Sequence, residues 1–85
     1  MKVQVLNVID NEENDNVDVH VHMPDGNVLT ATFFTKANVQ DFIRRDGFFY
    51  CVDAIIVDRL SPEIIEEVVQ QLNSSGELET AMGKG

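Results

Sequence analysis

The sequence predicts a single α+β domain in the order β-β-β-α-β-α, with one four-stranded mixed or antiparallel sheet and two helices packed on one face. Three observations carry this expectation. Val17, Val19, Val21 and Met23 alternate with Asp18, His20 and His22, the period of a strand with one buried face. Pro24-Asp25-Gly26-Asn27 follows at once, with a fixed φ, a side chain that bonds its own turn and a glycine for positive φ, so it reads as a tight hairpin connection. Ser61-Pro62-Glu63 opens a helix: a capping hydroxyl, a proline where a missing N–H costs nothing, and an acid at the positive end of the helix dipole.

The first strand is expected at about residues 3–9, ahead of a solvated polar run from Asp10 to Asn16. A third strand, about residues 27–34, is partly apolar on both faces, because Leu29, Ala31 and Phe33 oppose Val28, Thr30, Thr32 and Phe34, so its register is less firmly set. Thr35 caps a helix carrying Val39, Phe42 and Ile43, with Arg44 and Arg45 near its carbonyl end and Gly47 to stop it. Residues 48–58 form a near-continuous aromatic and β-branched run, which reads as a strand covered on both faces. Ile64, Ile65, Val68, Val69 and Leu72 then make the apolar stripe of a helix over about residues 62–73, ended by Ser74-Ser75-Gly76. Leu78 and Met82 stand four apart in a last turn, and residues 83–85 are expected to fray beyond a domain of residues 1–82.

A right-handed crossover through the first helix makes the fourth strand parallel to the first, and the expected spatial order is 3-2-1-4. That order leaves the most apolar strand at an edge. Either another order holds, or a second subunit covers the strand, which makes a homodimer a specific expectation.

Composition narrows the function. Fifteen acidic against six basic residues give a formal charge of −9, which opposes binding to nucleic acid or anionic lipid and favours a basic protein partner. Cys51 is the one cysteine, so no intramolecular disulfide is available. The amino-terminal residues lack a signal-peptide apolar core and no apolar run is long enough to span a bilayer, so a cytoplasmic location is expected.

No glycine-rich phosphate loop, Gly-x-Ser-x-Gly, Cys-x-x-Cys or His-Glu-x-x-His occurs, so neither a common enzyme class nor a cofactor is indicated. Asp18, His20 and His22 project from one strand face and offer oxygen and nitrogen to a metal, but a structural zinc needs four ligands and a catalytic one three. The acidic run from Asp10 fails the calcium-loop template: the sixth position has Asp15 where glycine is required, and the twelfth has Val21 in place of glutamate. Cys51, within the apolar run, is expected to be buried and inert.

Asp53 interrupts that same run, where a carboxylate must be paired, hydrogen-bonded or turned outward by a bulge. Phe33, Phe34, Phe42, Phe48, Phe49 and Tyr50 exceed what so small a core can hold. The surplus at Phe48, Phe49 and Tyr50, with Asp53, is therefore the expected partner-binding surface. The leading expectation is a small acidic, non-enzymatic interaction module, either homodimeric or binding a basic protein as an inhibitor or immunity-type protein would. The alternative is a metal- or small-ligand-binding domain built on Asp18, His20 and His22.

Overall fold

In the computed structural model, which describes all 85 residues, the elements are β1 (Lys2–Val5), β2 (Asn16–His22), β3 (Val28–Thr35), α1 (Lys36–Asp46), β4 (Ala54–Val57), α2 (Pro62–Ser74), α3 (Leu78–Ala81) and β5 (Gly83–Lys84). The class is α+β, with a mixed sheet and packed helices.

The β2–β3 hairpin is the centre of the sheet. Its turn closes as the Pro-Asp-Gly-Asn chemistry requires: Met23 N–H donates to the Asn27 carbonyl, the Asp25 carboxylate accepts from Asn27 N–H, and Gly26 takes φ of 91°. The register pairs Val17 with Phe33, Val19 with Ala31 and Val21 with Leu29. All six side chains are buried on one face, and Leu60, Ile65, Val69, Leu78 and Met82 close over them. The apolar stripe of α2 and the short α3 therefore cover this face. The Ser61 hydroxyl accepts from Ile64 N–H, as the sequence predicts for its helix start.

α1 is placed differently from the expectation that both helices share a face. Thr35 caps it by accepting from Asn38 N–H, and Gly47 ends it at φ of 85°. Its side chains meet the other side of the sheet. Asn38 bonds Asn16, and Phe42 packs edge-on against Phe34, residues that point opposite to Val17 and Phe33. No residue of α1 is fully buried.

The strand order is β1-β2-β3-β4, which corrects the expected 3-2-1-4. β4 is parallel, as a crossover demands, but it lies beside β3, pairing Phe33 with Ile55 and Thr35 with Val57. Because α1 starts at Thr35 without an intervening loop, the free edge of β3 is the nearest one to which the chain returns. β4 remains at an edge.

Further differences arise in the connecting segments. β1 stops at Val5, and Leu6 to Asp10 continue irregularly while Leu6 N–H donates to the Asp18 carbonyl. β4 spans four residues of the eleven expected, because Asp53 adopts φ of 54°, a left-handed conformation that no strand can pass through. Phe48 to Val52 therefore form an irregular connection, in which Cys51 is half-buried rather than enclosed in a strand. Residues 83–85, expected to fray, instead extend the sheet. Met82 is buried as an anchor, Gly83 and Lys84 pair antiparallel with Thr30 and Leu29, and Gly85 N–H donates to the Val28 carbonyl. β4 and β5 thus lie end to end along one edge of β3, with Asp53 at their junction.

No helix is long and apolar enough to cross a membrane.

Candidate functional site

The sheet face opposite the core carries Gln4 from β1, Asp18, His20 and His22 from β2, Thr30, Thr32 and Phe34 from β3, and Ile56 from β4. At one end α1 and Phe49 cover it: the Phe34 ring meets Phe49 at 4.8 Å and Phe42 at 6.2 Å, both edge-on. The rest is open.

Of the sequence-predicted partner residues, Phe49 is therefore a packing residue, half-buried between Phe34 and Phe42. Its neighbours on either side turn outward. Phe48 is 67% exposed and Tyr50 79%, and together with Phe42, Phe49, Arg45 and Asp46 they line a shallow hollow. Val52 and Ile56, at 64% and 54% exposed, continue the apolar surface along the same connection into β4. Neither Val52 nor Ile56 stood out in the sequence, because both belong to a run that reads as a fully covered strand.

Charge around the aromatic end is internally matched. Arg45 donates to Asp46 through Nε and Nη2 at 3.0 and 2.9 Å, and its guanidinium stands 4.9 Å from the Phe42 ring centre. The hydrogen bond from Arg45 holds the Asp46 carboxyl below its ordinary range. Arg44 pairs with Asp41 at 2.9 Å.

Acid is unopposed toward the carboxyl-terminal end. Between Leu60 and Gly83 the chain has five glutamates, all exposed, and no lysine or arginine.

Asp53 lacks the cationic or hydroxyl partner expected of a buried carboxylate. The left-handed backbone turns it toward the junction of β4 and β5, where its carboxylate occupies the space a side chain at Gly83 would fill. Its carbonyl accepts from Thr32 N–H at 3.1 Å, and the Thr32 hydroxyl donates to Asp18 Oδ1 at 2.8 Å. Thr32 thus ties Asp53 and Asp18 to one strand position.

The metal reading finds less geometry. His20 and His22 share the face, with ring centres 6.3 Å apart, but His22 Nε2 is engaged with Gln4 Oε1 at 2.9 Å and Asp18 with Thr32. No group of three His, Cys, Asp or Glu side chains is placed to hold a metal ion.

The acidic run is an ordered turn. The Asp15 carboxylate accepts from the N–H groups of Asp10, Asn11 and Asn16 at 2.9, 3.3 and 2.8 Å. Partial burial pushes the Asp15 carboxyl up, but these three donors outweigh it and hold the group below its ordinary value. Arg59 reaches the same segment at Glu12, 2.7 Å away.

Compared with known protein families, curated proteins and solved structures, the chain matches none of them.

Proposed function

We propose that the chain is a non-enzymatic interaction module that binds a basic protein through Phe48, Tyr50, Val52 and Ile56. The observation that supports this reading is the exposure of these four large apolar side chains along one connection and its strand, while the core on the opposite face is closed. Single exposed apolar residues are ordinary; two aromatics and two aliphatics in one stretch, beside an aromatic cluster that holds their backbone, fit the anchor of an interface. Burying a side chain of this size contributes about 1.5–3 kcal/mol to an association.

The charge favours a different protein over a second copy. Two chains of −9 repel when brought face to face, whereas a basic partner is drawn in faster at low salt. The five unopposed glutamates of α2, α3 and the turn between them extend that field beyond the aromatic end.

The test uses the immobilised chain in native cell extract beside its Phe48→Ser/Tyr50→Ser variant, whose changed side chains are solvent-exposed. The expected result is a basic protein retained by the parent chain, lost with the variant and weakened by salt. Equal retention on both overturns the assignment of binding to the aromatic surface; a light-scattering mass of two chains that the variant reduces to one overturns the basic-partner reading and gives the surface to a homodimer.

A further inference from the structure

Val52 also lines a second hollow, about 250 Å³, on the open sheet face, together with Leu6, Asp18, His20, Thr32 and Asp53. Its chemistry is mixed. Asp18 and Asp53 flank Thr32, His20 and Thr30 add polar groups, Leu6 and Val52 are its exposed apolar side chains, and no lysine or arginine lines it.

Both carboxylates retain free acceptor capacity. Asp18 uses only Oδ1, for the Thr32 hydroxyl, and the three ion pairs of the molecule engage Asp41, Asp46 and Glu12. Asp53 accepts nothing through its side chain; only its carbonyl is used, by Thr32 N–H. The carboxylate is nevertheless held in place. A left-handed residue sets its direction, and the absence of a side chain at Gly83 makes its room.

We propose that this hollow receives an arginine side chain of the basic partner, its guanidinium between Asp18 and Asp53 and its flat faces against Leu6 and Val52. This inference rests on the interaction-module reading and extends its surface through Val52. Two carboxylates with spare acceptor capacity and no lysine or arginine beside them favour a cation. Arginine suits the site better than lysine, because a planar fork donates to two separate carboxylates at once, and its weakly hydrated faces pack on apolar walls. A lysine ammonium is a compact, strongly hydrated charge, and would leave both walls wet.

The test is a ¹⁵N NMR titration of the full chain with N-acetylarginine N-methylamide, run beside the lysine analogue. Saturable shifts at Asp18, Thr32, Val52 and Asp53 are expected for arginine, with weaker binding of lysine. Asp18→Asn and Asp53→Asn, which keep shape and tolerate the backbone, should each lower the affinity about fivefold. Glu66→Gln/Glu67→Gln makes the charge change of the Asp18→Asn/Asp53→Asn pair and should leave the affinity unchanged within about twofold.

Shifts spread over α2, or an equal loss in the glutamate control, would mean diffuse charge attraction and overturn the proposal. So would equal affinity for the two analogues. Because the probe needs no partner, the two readings fail separately. Localised arginine shifts with partner capture that survives Phe48→Ser/Tyr50→Ser remove the aromatic surface and keep the hollow. The reverse pattern removes the hollow alone.

Discussion

Gly83 leaves open the space that the Asp53 carboxylate fills: a Cβ at Gly83 would stand 2.8 Å from Asp53 Cγ, closer than such atoms approach. The two residues lie thirty positions apart and meet where β4 gives way to β5 along β3.

Gly83→Ala is therefore expected to destabilise the fold by about 1–3 kcal/mol, as overpacking does. Asp53→Gly removes the obstructing carboxylate and suits the positive φ, so Gly83→Ala should cost little in that background. Urea unfolding of the two single variants and the double variant measures the coupling; additive losses would mean that Gly83 acts through something other than Asp53.

Thr35 is the one fully buried polar residue, and it serves two elements. Its hydroxyl oxygen accepts from Asp15 N–H and Asn38 N–H at 3.1 and 3.2 Å, so it caps α1 and fixes the turn before β2. Thr35→Val should cost about 2 kcal/mol by leaving both donors unmet, whereas Thr35→Ser should keep most of the stability. Equal losses in thermal unfolding would assign the effect to packing.

Phe49 and Tyr50 are adjacent and should behave oppositely. Phe49→Ala opens the cluster with Phe34 and Phe42 and should lower stability by about 2–4 kcal/mol. Tyr50→Ser should stay within about 0.5 kcal/mol, since its side chain stands in solvent. Denaturant midpoints distinguish them directly.

Asp15 should make stability depend on acid pH. Its folded carboxyl lies below the ordinary value of 3.8, so its contribution is fully present above the unfolded value and is lost as pH falls through the folded one. Asp15→Asn removes that dependence and, by weakening the turn, should cost about 1 kcal/mol at neutral pH. A variant whose stability falls with acid as steeply as the parent's from about pH 4 downward would place the effect on another carboxylate.

Local chemistry made much of the fold legible. The alternation in β2, the hairpin turn, the Thr35 and Ser61 caps and the stripe of α2 each depend on a few neighbouring residues, and each reads correctly. What did not read was set by tertiary contact. Phe48 to Val52 has the composition of a strand, but one left-handed residue, Asp53, breaks it, and the room for its carboxylate comes from Gly83, thirty residues on at the start of β5. The strand order depended on which free edge lay nearest the start of α1, a question of space. The aromatic surplus marked Phe48 and Tyr50 correctly as outward and Phe49 incorrectly, since composition does not tell which of three consecutive rings turns in. Leu6, which also lines the hollow, gave no signal: it follows Lys2 and Gln4 at strand period onto the open face, where an apolar residue does not announce itself in the sequence.

β3 is hydrogen-bonded on both sides, to β2 along Val28 to Phe34 and on its other edge to two strands that run in opposite directions. A residue inserted in it would have to satisfy three registers at once and would exchange Phe33 for Phe34 on the core face. The hairpin turn at Asp25 to Gly26 carries no such obligation, whereas the turn at Asn11 to Glu13 is held by Asp15, by Arg59 and by Leu60 N–H on the Glu12 carbonyl. As a scaffold, the molecule takes new length most readily at the hairpin turn, while residues 28–35 admit substitution and almost no change in spacing.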